Sequence, residues 1–311
     1  MRTPFLSALL LYASAHAQTV SPKPQAADGA TLRSELRGDR VVITDGGAPV
    51  AHFVFRDEKI LRPYFAHVHA PGGIPITRTF PPVEGVDATD HADMHPGIWL
   101  GFGDLAGDDF WRNKGRIRHE RFTGNPAWQD GSLTFATLST VLRRDGTALA
   151  EMTNRFALTP REGALRIEWD AAFTPVTEGF YFGDQEEMGL GVRVATAITE
   201  KNGGRITSST GATTAKATWG QPAAWCDYSG IIAGRHAGVL IFPDPANPRP
   251  SWWHNRDYGV FVANAFGRKA MKQGDTSRID VKRGETFRLK HTIILHASGD
   301  DKAPDLQSLV K

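Results

Sequence analysis

Short segments in which apolar and polar residues alternate recur along this chain, and turns rich in glycine and proline separate them. Alternation with a period of two is typical of β-strands that bury one face. No amphipathic helical pattern lies between these segments, so the sequence predicts an all-β fold: a large antiparallel β-sandwich in a single domain with long functional loops. The predicted strands cover residues 40–44, 51–55, 132–142, 149–157, 164–173, 189–198, 238–242, 258–263 and 286–296.

Turn and loop signals support this prediction. Asp145-Gly146 lies between two predicted strands and is a strong hairpin signal. Residues 70–97 and 208–229 fit no strand pattern. They predict two long ordered loops, the part of a β scaffold where binding and catalysis usually occur.

The N-terminus has the pattern of an export signal. Arg2 precedes an apolar run over residues 5–13, and Ala15-His16-Ala17 follows as a cleavage signal. The run is too short to span a bilayer, which needs about 20 residues. We therefore expect a signal peptide at residues 1–17, with an uncleaved membrane anchor as the alternative.

The rest of the chain divides into three predicted parts. They are a flexible tether at residues 18–28, the β-sandwich domain at 29–300 and a C-terminal tail at 301–311. In the tail we expect a frayed helical turn. No later segment is apolar enough to cross a membrane. The expected location is periplasmic or secreted.

Charge and cysteine content exclude several classes of protein. The 36 lysines and arginines nearly balance 34 acidic residues, giving a net charge of +2, and no basic run is present, so nucleic acid is not an expected partner. Cys226 is the only cysteine, so no intramolecular disulfide can form and the core must stabilise the fold. The sequence indicates no cofactor, no resident metal and no particular oligomeric state.

Residues 90–119 are the densest polar stretch, with three histidines, five aspartates, two tryptophans and four cationic side chains. Unpaired polar groups are costly to bury, so this composition favours a polar cleft with aromatic walls over a core. His91 and His95 are four residues apart, a spacing that places two imidazoles on one side of a helix, as in metal sites. Pro96-Gly97 follows directly, so acid–base chemistry or sugar-hydroxyl contact is the favoured role, with metal binding and loop capping as alternatives.

Three later clusters could complete the cleft. Glu186 and Glu187 would point to opposite faces of an extended strand, so we expect at most one of them in the cleft, near His91 or His95. The other two clusters are residues 225–230, with Cys226 as an alternative nucleophile, and residues 252–259. His67 and His69 share a strand face, but no matching downstream metal ligands are evident.

Several of these motifs, in this order, resemble a known family. They are Arg62-Pro63-Tyr64-Phe65, Thr89-Asp90-His91 with His95, Gly103-Asp104 with Asp109-Phe110-Trp111, Glu186-Glu187 with Gly191-Val192-Arg193, Trp225 to Gly230, and Trp253-His254 with Arg256 to Gly259. From about residue 40 to 297 the chain resembles the secreted bacterial family of unknown function often labelled "PmoA family" or "methane oxygenase PmoA". The resemblance implies a β-sandwich protein of bacteria that degrade complex glycans. The large sandwich with a histidine pair and a carboxylate is also similar to the galactose mutarotase-like superfold, which includes aldose epimerases and polysaccharide lyases and hydrolases.

We therefore expect an exported carbohydrate-active enzyme that cleaves or rearranges a glycoside by histidine–carboxylate acid–base chemistry. The expected catalytic residues are His91, His95, Glu186, Glu187 and His254. The residues expected to bind the carbohydrate are Asp104, Asp109, Trp111, Arg112, Asn113, Lys114, His119, Arg193, Trp225, Asp227, Tyr228, Trp253, Arg256 and Tyr258. The alternatives are a non-catalytic carbohydrate-binding protein and a metal-dependent oxygenase or hydrolase that uses His67, His69, His91 or His95.

Overall fold

Two eight-stranded sheets form the protein in a computed structural model that describes residues 31–310. The predicted signal peptide at residues 1–17 and the tether at 18–28 lie outside the described residues. Within residues 31–310, all strands of both sheets pair antiparallel, so the predicted all-β antiparallel sandwich is confirmed.

The first ten strands, in chain order, are β1 Leu32–Arg37, β2 Arg40–Asp45, β3 Ala48–Val54, β4 Tyr64–Ala66, β5 His69–Ala70, β6 Ile74–Pro75, β7 Ile98–Phe102, β8 Arg116–Gln129, β9 Ser132–Leu142 and β10 Ala148–Arg161. The next ten are β11 Ala164–Pro175, β12 Phe180–Phe182, β13 Met188–Arg193, β14 Arg205–Ser208, β15 Cys226–Ile232, β16 Arg235–Pro243, β17 Trp252–Asn255, β18 Val260–Asn264, β19 Ile279–Val281 and β20 Phe287–Ala297. Helical turns are short: α1 Ala215–Thr218, α2 Leu306–Leu309 and the 3-10 segments Thr196–Ile198 and Glu200–Asn202.

The first sheet has the order β1-β2-β3-β4-β7-β13-β18-β17, and the second has the order β14-β15-β16-β20-β11-β10-β9-β8. Their inner faces share one apolar core, to which Phe53, Phe65, Phe156 and Trp169 contribute side chains at most 2% exposed. Alternating side chains point to the opposite face of each strand, so the outer face of the first sheet carries a different set of residues. A smaller apolar cluster with Tyr64, Trp99, Trp111, Val260 and Val262 lies there.

The sequence located nine of the twenty strands within residues 31–310 and misplaced some of their boundaries. The predicted strand 258–263 begins only at Val260, because Arg256 and Gly259 form a turn in which Gly259 has a φ of +101°. The predicted strand 189–198 ends at Arg193, and a 3-10 turn follows. The loop predicted at 208–229 contains the start of β15, a buried strand whose polar residues Asp227 and Ser229 concealed its pattern.

The C-terminal tail ends in α2, in the place where a helical turn was expected. Leu306, Leu309 and Val310 pack against a cluster of Trp225, Leu240 and other apolar side chains on the second sheet. In the part of the chain that the structure describes, no helix combines the length and the apolar character needed to cross a membrane.

Stability should depend on pH through a core histidine. His291 on β20 is 5% exposed, and burial lowers its pKa to about 4. Because its pKa is higher in the unfolded chain, protonation there destabilises the fold as the pH falls from about 6.5 to 4. This shift corresponds to at most about 3 kcal/mol.

We predict that the variant His291→Leu loses much of this pH dependence of the free energy of unfolding. Urea unfolding of both proteins between pH 7.5 and pH 4.5 measures it, and the comparison at pH 7.5, where His291 is neutral, isolates the packing effect. An unchanged slope in the variant would contradict the assignment.

Candidate functional site

A row of side chains crosses the outer face of the first sheet. Tyr64 pairs with Trp99, Trp99 with Gly191, Gly191 with Val262 and Val262 with His254. Four strand spacings of about 4.8 Å separate the two ends of this row by about 19 Å. The row crosses β4, β7, β13, β18 and β17, and we call it the outer-face row. It is covered, because Tyr64, Trp99, Val262 and His254 are at most 2% exposed.

The middle of the outer-face row is a tryptophan floor, which requires a glycine. A Cβ atom on Gly191 would lie 2.8 Å from the Trp99 ring and 3.1 Å from the Trp111 ring. Both rings are 0% exposed and pack 5.1 Å apart at 70°. Trp111, which was expected to stack on a sugar, therefore supports the site from beneath and presents no ring face to a ligand.

A carboxylate–imidazole pair lies above this floor. Asp90 accepts two hydrogen bonds, of 2.9 and 2.7 Å, from the guanidinium of Arg193. The Nδ1 atom of His91 lies 2.8 Å from the same carboxylate. Partial burial acts to raise the pKa of Asp90, but the hydrogen bonds from Arg193 and His91 outweigh it and hold that pKa well below its ordinary range.

His91 and His95 face each other because one helical turn forms before Pro96. The His95 N–H donates to the His91 carbonyl at 3.0 Å, and the two rings lie 5.0 Å apart. His91 has a φ of +51°, an uncommon conformation that costs about 1–3 kcal/mol and concentrates at functional sites. Its side chain is 43% exposed.

His95 differs from His91 in its surroundings. It is 4% exposed and stacks on Trp99 at 5.0 Å and 13°. Burial, together with the charge of Arg193, lowers the pKa of His95 well below its usual value. A neutral, buried imidazole positions its neighbours, so His95 is a poor candidate for the proton-transfer group.

Tyr258 is the point at which three distant segments meet. Its ring stacks on His91 at 5.9 Å and 20°, and the Arg193 guanidinium lies 4.9 Å from the ring centre. Burial raises the pKa of its phenol; Arg256 and Arg193 oppose this, while Asp90 and Glu187 add to it. The charges of Asp90, Glu187, Arg193 and Arg256 thus all act on this one hydroxyl group.

A second carboxylate lies at the far end of the outer-face row. Glu186 accepts a 3.0 Å hydrogen bond from Arg256 and lies 3.4 Å from Nδ1 of His254. His254, and less strongly Arg256, lower the pKa of Glu186. The Arg256 guanidinium also lies 5.6 Å from the ring centre of Trp219, a residue that the sequence patterns did not indicate.

Glu187 belongs to a separate ion-pair group. It pairs with Arg112, which also binds Asp109 at 2.9 Å. The chain before Met188 is irregular, and Glu186 and Glu187 reach different arginines. That at most one of the two faces the cleft stays a prediction. The expected pairing of a glutamate with His91 or His95 is wrong, since Asp90 occupies that position.

Two buried arginines hold the loops over the sheet. Arg62, 3% exposed, donates to the carbonyls of Phe110, Trp111 and Met94. Arg78, 1% exposed, donates to the carbonyls of Ala88, Asp90 and His95. No local sequence signal distinguishes either arginine from a surface residue, and sequence reasoning missed both.

Other predicted ligands have structural roles near the site. The Asn113 side chain binds Leu61, Arg62 and the Asp93 carbonyl, which ties two loops together. Asp104 closes a turn by accepting the Gly107 N–H at 3.0 Å. Lys114 is exposed on the rim.

Five predicted ligands do not reach this site. Trp253 is 0% exposed in the main core, since its neighbour His254 takes the outward position. Asp227 is buried on the second sheet with His296 at 2.7 Å, and Trp225 packs beside it under the C-terminal tail. His119 is 5% exposed and packs against Phe55 at 4.6 Å, beside a different cavity.

Tyr228 is the fifth. Its hydroxyl accepts the Glu200 N–H at 2.7 Å and lies 3.1 Å from the Asp257 carbonyl. It therefore anchors the turn that carries Arg256 and Tyr258, from the core side of the sheet.

The metal and cysteine alternatives find little support in this geometry. Within residues 31–310, no group of three His, Cys, Asp or Glu side chains is arranged to hold a metal ion. The ring of His67 contacts the ring of His52 at 5.0 Å, and Nδ1 of His69 lies 2.7 Å from the His67 carbonyl oxygen. Cys226 is 0% exposed, and burial raises the pKa of its thiol, the opposite of what a nucleophile requires.

We predict that Asp90→Asn lowers the free energy of unfolding at pH 7 by about 1–2 kcal/mol, because Arg193 stays buried without its counter-charge. The loss is smaller than for a fully buried pair, since Asp90 is 39% exposed. The folded pKa of Asp90 is depressed, so this stability is present above about pH 4 and is lost as the pH falls through the folded pKa.

Urea unfolding of wild type and variant at stepped pH values measures this difference. The two free energies should converge as the pH is lowered below about 4. A gap that stays constant down to the lowest pH at which wild type remains folded would refute the ion-pair account.

Three solved structures illustrate what the chain resembles. A β-arabinopyranosidase matches with 8% identity over 79% of this chain and 38% of its own, with a TM-score of 0.47. A GH36 α-galactosidase from Geobacillus stearothermophilus has 14% identity over 87% and 41%, with a TM-score of 0.39. A galactose mutarotase-like protein from Lactobacillus casei ATCC 334 has 9% identity over 86% and 100%, with a TM-score of 0.35.

The chain spans about two fifths of the length of the first two of these proteins. At these identities and TM-scores, none of the three assigns a substrate or a residue role to it. No curated protein sequence matches the chain. A family model matches residues 40–310, and the chain belongs to this family of unknown function, DUF6807.

Proposed function

We propose that this chain is an exported carbohydrate-active enzyme that cleaves or rearranges a glycoside by proton transfer. The observation that carries the proposal is the Asp90–His91 pair: a carboxylate fixed by a buried arginine, 2.8 Å from the ring of a 43% exposed histidine. Export rests on the predicted signal peptide at residues 1–17.

His91 is suited to act as the base. Asp90 accepts a hydrogen bond from Nδ1–H of His91, which leaves Nε2 as the proton acceptor. Arg193 keeps Asp90 ionised, so the carboxylate also stabilises the imidazolium that forms when Nε2 takes a proton. Tyr258 stacks beside His91, and its raised pKa keeps the phenol protonated and able to return a proton.

The charges favour elimination or epimerisation over hydrolysis. Hydrolysis of a glycoside usually requires one carboxylic acid with a raised pKa to protonate the leaving oxygen. Asp90 and Glu186 both have lowered pKa values and are acceptors only. A base and a neutral donor are instead what proton abstraction beside a carbonyl-activated carbon needs. Glu186 with Arg256, and Glu187 with Arg112, would bind substrate hydroxyls.

An assay on a panel of plant and algal glycans tests this proposal. Elimination is followed by the ultraviolet absorbance of the new C=C bond, hydrolysis by reducing ends and epimerisation by NMR. We expect His91→Gln to lower kcat by about 10²–10⁴-fold, because the general base is lost.

Asp93→Asn is the matched control, since Asp93 is an exposed carboxylate in the same turn without a side-chain partner in the described chain. It should retain activity within about twofold. Conversion of a glycan at the wild-type rate by His91→Gln would exclude the assigned base.

A non-catalytic carbohydrate-binding protein is the second candidate. One observation favours it: a cavity of about 800 Å³ lies beside Asp90, His91, His95, Arg193 and Tyr258, which we call the His91 cluster. Its lining includes Tyr64 and Phe80, which belong to the apolar cluster of the outer face on which Tyr258 also packs. A glycan that binds wild type and His91→Gln with equal affinity, and that neither protein converts, would support this candidate over the enzyme.

A further inference from the structure

The cavity beside the His91 cluster has a floor built by the first sheet. Val54, Tyr64 and Ala66 form this floor, and His67 and Phe80 form part of the wall. Its volume is about 800 Å³, within the range of small-molecule sites. Tyr64 is also the first residue of the outer-face row, so the cavity and the His91 cluster occupy one continuous face.

The cavity carries an excess of positive charge. Arg56, Lys59 and Arg116 are exposed at its mouth, and none has a carboxylate partner in the described part of the chain. Two other lining arginines are paired: Arg40 binds Asp39, and Arg118 binds Glu120.

The lining carboxylates do not balance this excess. Asp57 accepts the N–H groups of Lys59 and Ile60 and the hydroxyl of Tyr64, neutral donors that leave its charge in place. Glu58 is the other lining carboxylate without an ion-pair partner among the described residues, and it is exposed. Three cations without an ion-pair partner therefore face two such carboxylates, and buried Arg62 adds a fourth positive charge to the lining.

Arg62 adds an independent buried charge at the boundary with the His91 cluster. Its guanidinium binds carbonyl oxygens and the Asn113 amide oxygen and makes no direct ion pair within residues 31–310; Asp109 and Asp93 act on it only through space. A buried charge without a directly paired counter-ion is costly, and an anion bound nearby would reduce that cost. Burial lowers the pKa of Arg62 to about 9, so it remains charged at neutral pH.

The walls suit a sugar ring better than a free inorganic anion. Phe80 is partly exposed and packs against Tyr64 at 5.5 Å, and His67 packs against His52 at 5.0 Å. Aromatic surfaces and polar donors together are typical of carbohydrate pockets.

From this arrangement we infer that the cavity is a subsite for an anionic sugar unit, one that bears a carboxylate or a sulfate. Its acidic group would face Lys59, Arg56 and Arg116, while the reacting unit lies at His91. The inference rests on the proposed function, since it names the class of glycan on which the enzyme would act.

Binding measurements on the inactive variant His91→Gln test the subsite without turnover. The carboxylate probes are oligogalacturonate and its methyl ester; the sulfate probes are methyl-esterified chondroitin sulfate oligosaccharides and the same esters after desulfation. We expect at least one anionic probe to bind about tenfold more tightly than its neutral counterpart. This preference should shrink as salt is raised from about 0.05 to 0.5 M. The two probe pairs distinguish carboxylate from sulfate recognition.

The double variant Lys59→Gln/Arg116→Gln, in the same background, should lose most of this preference. Its matched control is Lys216→Gln/Lys302→Gln, which removes the same charge from exposed lysines outside the cavity lining. Circular dichroism confirms folding of both. Equal binding of charged and neutral probes, or a preference that survives in Lys59→Gln/Arg116→Gln, would overturn the inference.

The outcomes separate the subsite from the enzyme proposal. If an anionic probe shows the charge preference and wild type converts none of the glycans, the subsite stands and the enzyme proposal fails. If wild type converts an anionic glycan and Lys59→Gln/Arg116→Gln, made without the His91 substitution, does so with the same kcat/KM, the enzyme proposal stands and the subsite fails.

Discussion

Three buried guanidinium groups organise the functional face of this protein. Arg62, Arg78 and Arg193 are each at most 3% exposed. The first two donate from their terminal nitrogens to loop carbonyls, and the third donates to the carboxylate of Asp90. Because loops carry many unpaired backbone acceptors, a guanidinium with five donors can fix several of them at once. The loops over the first sheet thus acquire a defined shape without regular secondary structure.

This arrangement explains why the candidate base is well placed. Arg193 comes from β13, a central strand, and it determines where Asp90 lies; Asp90 in turn orients His91. The functional group is on a loop, but its position derives from the sheet. Rigid positioning of a polar group by a scaffold is what proton transfer requires, since small displacements of a catalytic group are costly.

The sequence predicted the class of fold because alternation with a period of two survives in strands such as β9 and β11. The same pattern did not identify β15 or β8. In β15 the polar Asp227 is buried and paired with His296, so polar residues there do not mark a face exposed to solvent. In β8 most outward residues of the first half are charged, and the sequence of this strand resembles that of an exposed loop.

The type of a residue alone did not identify the members of the candidate site. His91, Arg193 and Tyr258 contact one another, and Glu186, His254 and Arg256 form a second group of contacts. Trp225, Trp253 and Asp227 lie in neither group, since a tryptophan or an aspartate can be fully buried when it is packed or paired. Arg62 and Arg78 could not be identified because their partners are backbone carbonyls, which every residue has.

The hydroxyl of Tyr228 crosses the sandwich from the second sheet and meets the turn at residues 256–257. Tyr228 therefore links the second sheet directly to a turn of the first sheet. Sliding of one sheet against the other would drag Arg256 and Tyr258 relative to Asp90, whose own anchor lies on the first sheet alone. Substitutions in the second sheet can therefore shift the residues that lie above the first sheet. Buried positions of β15 are thus a place where related chains can differ in selectivity while their exposed residues stay the same.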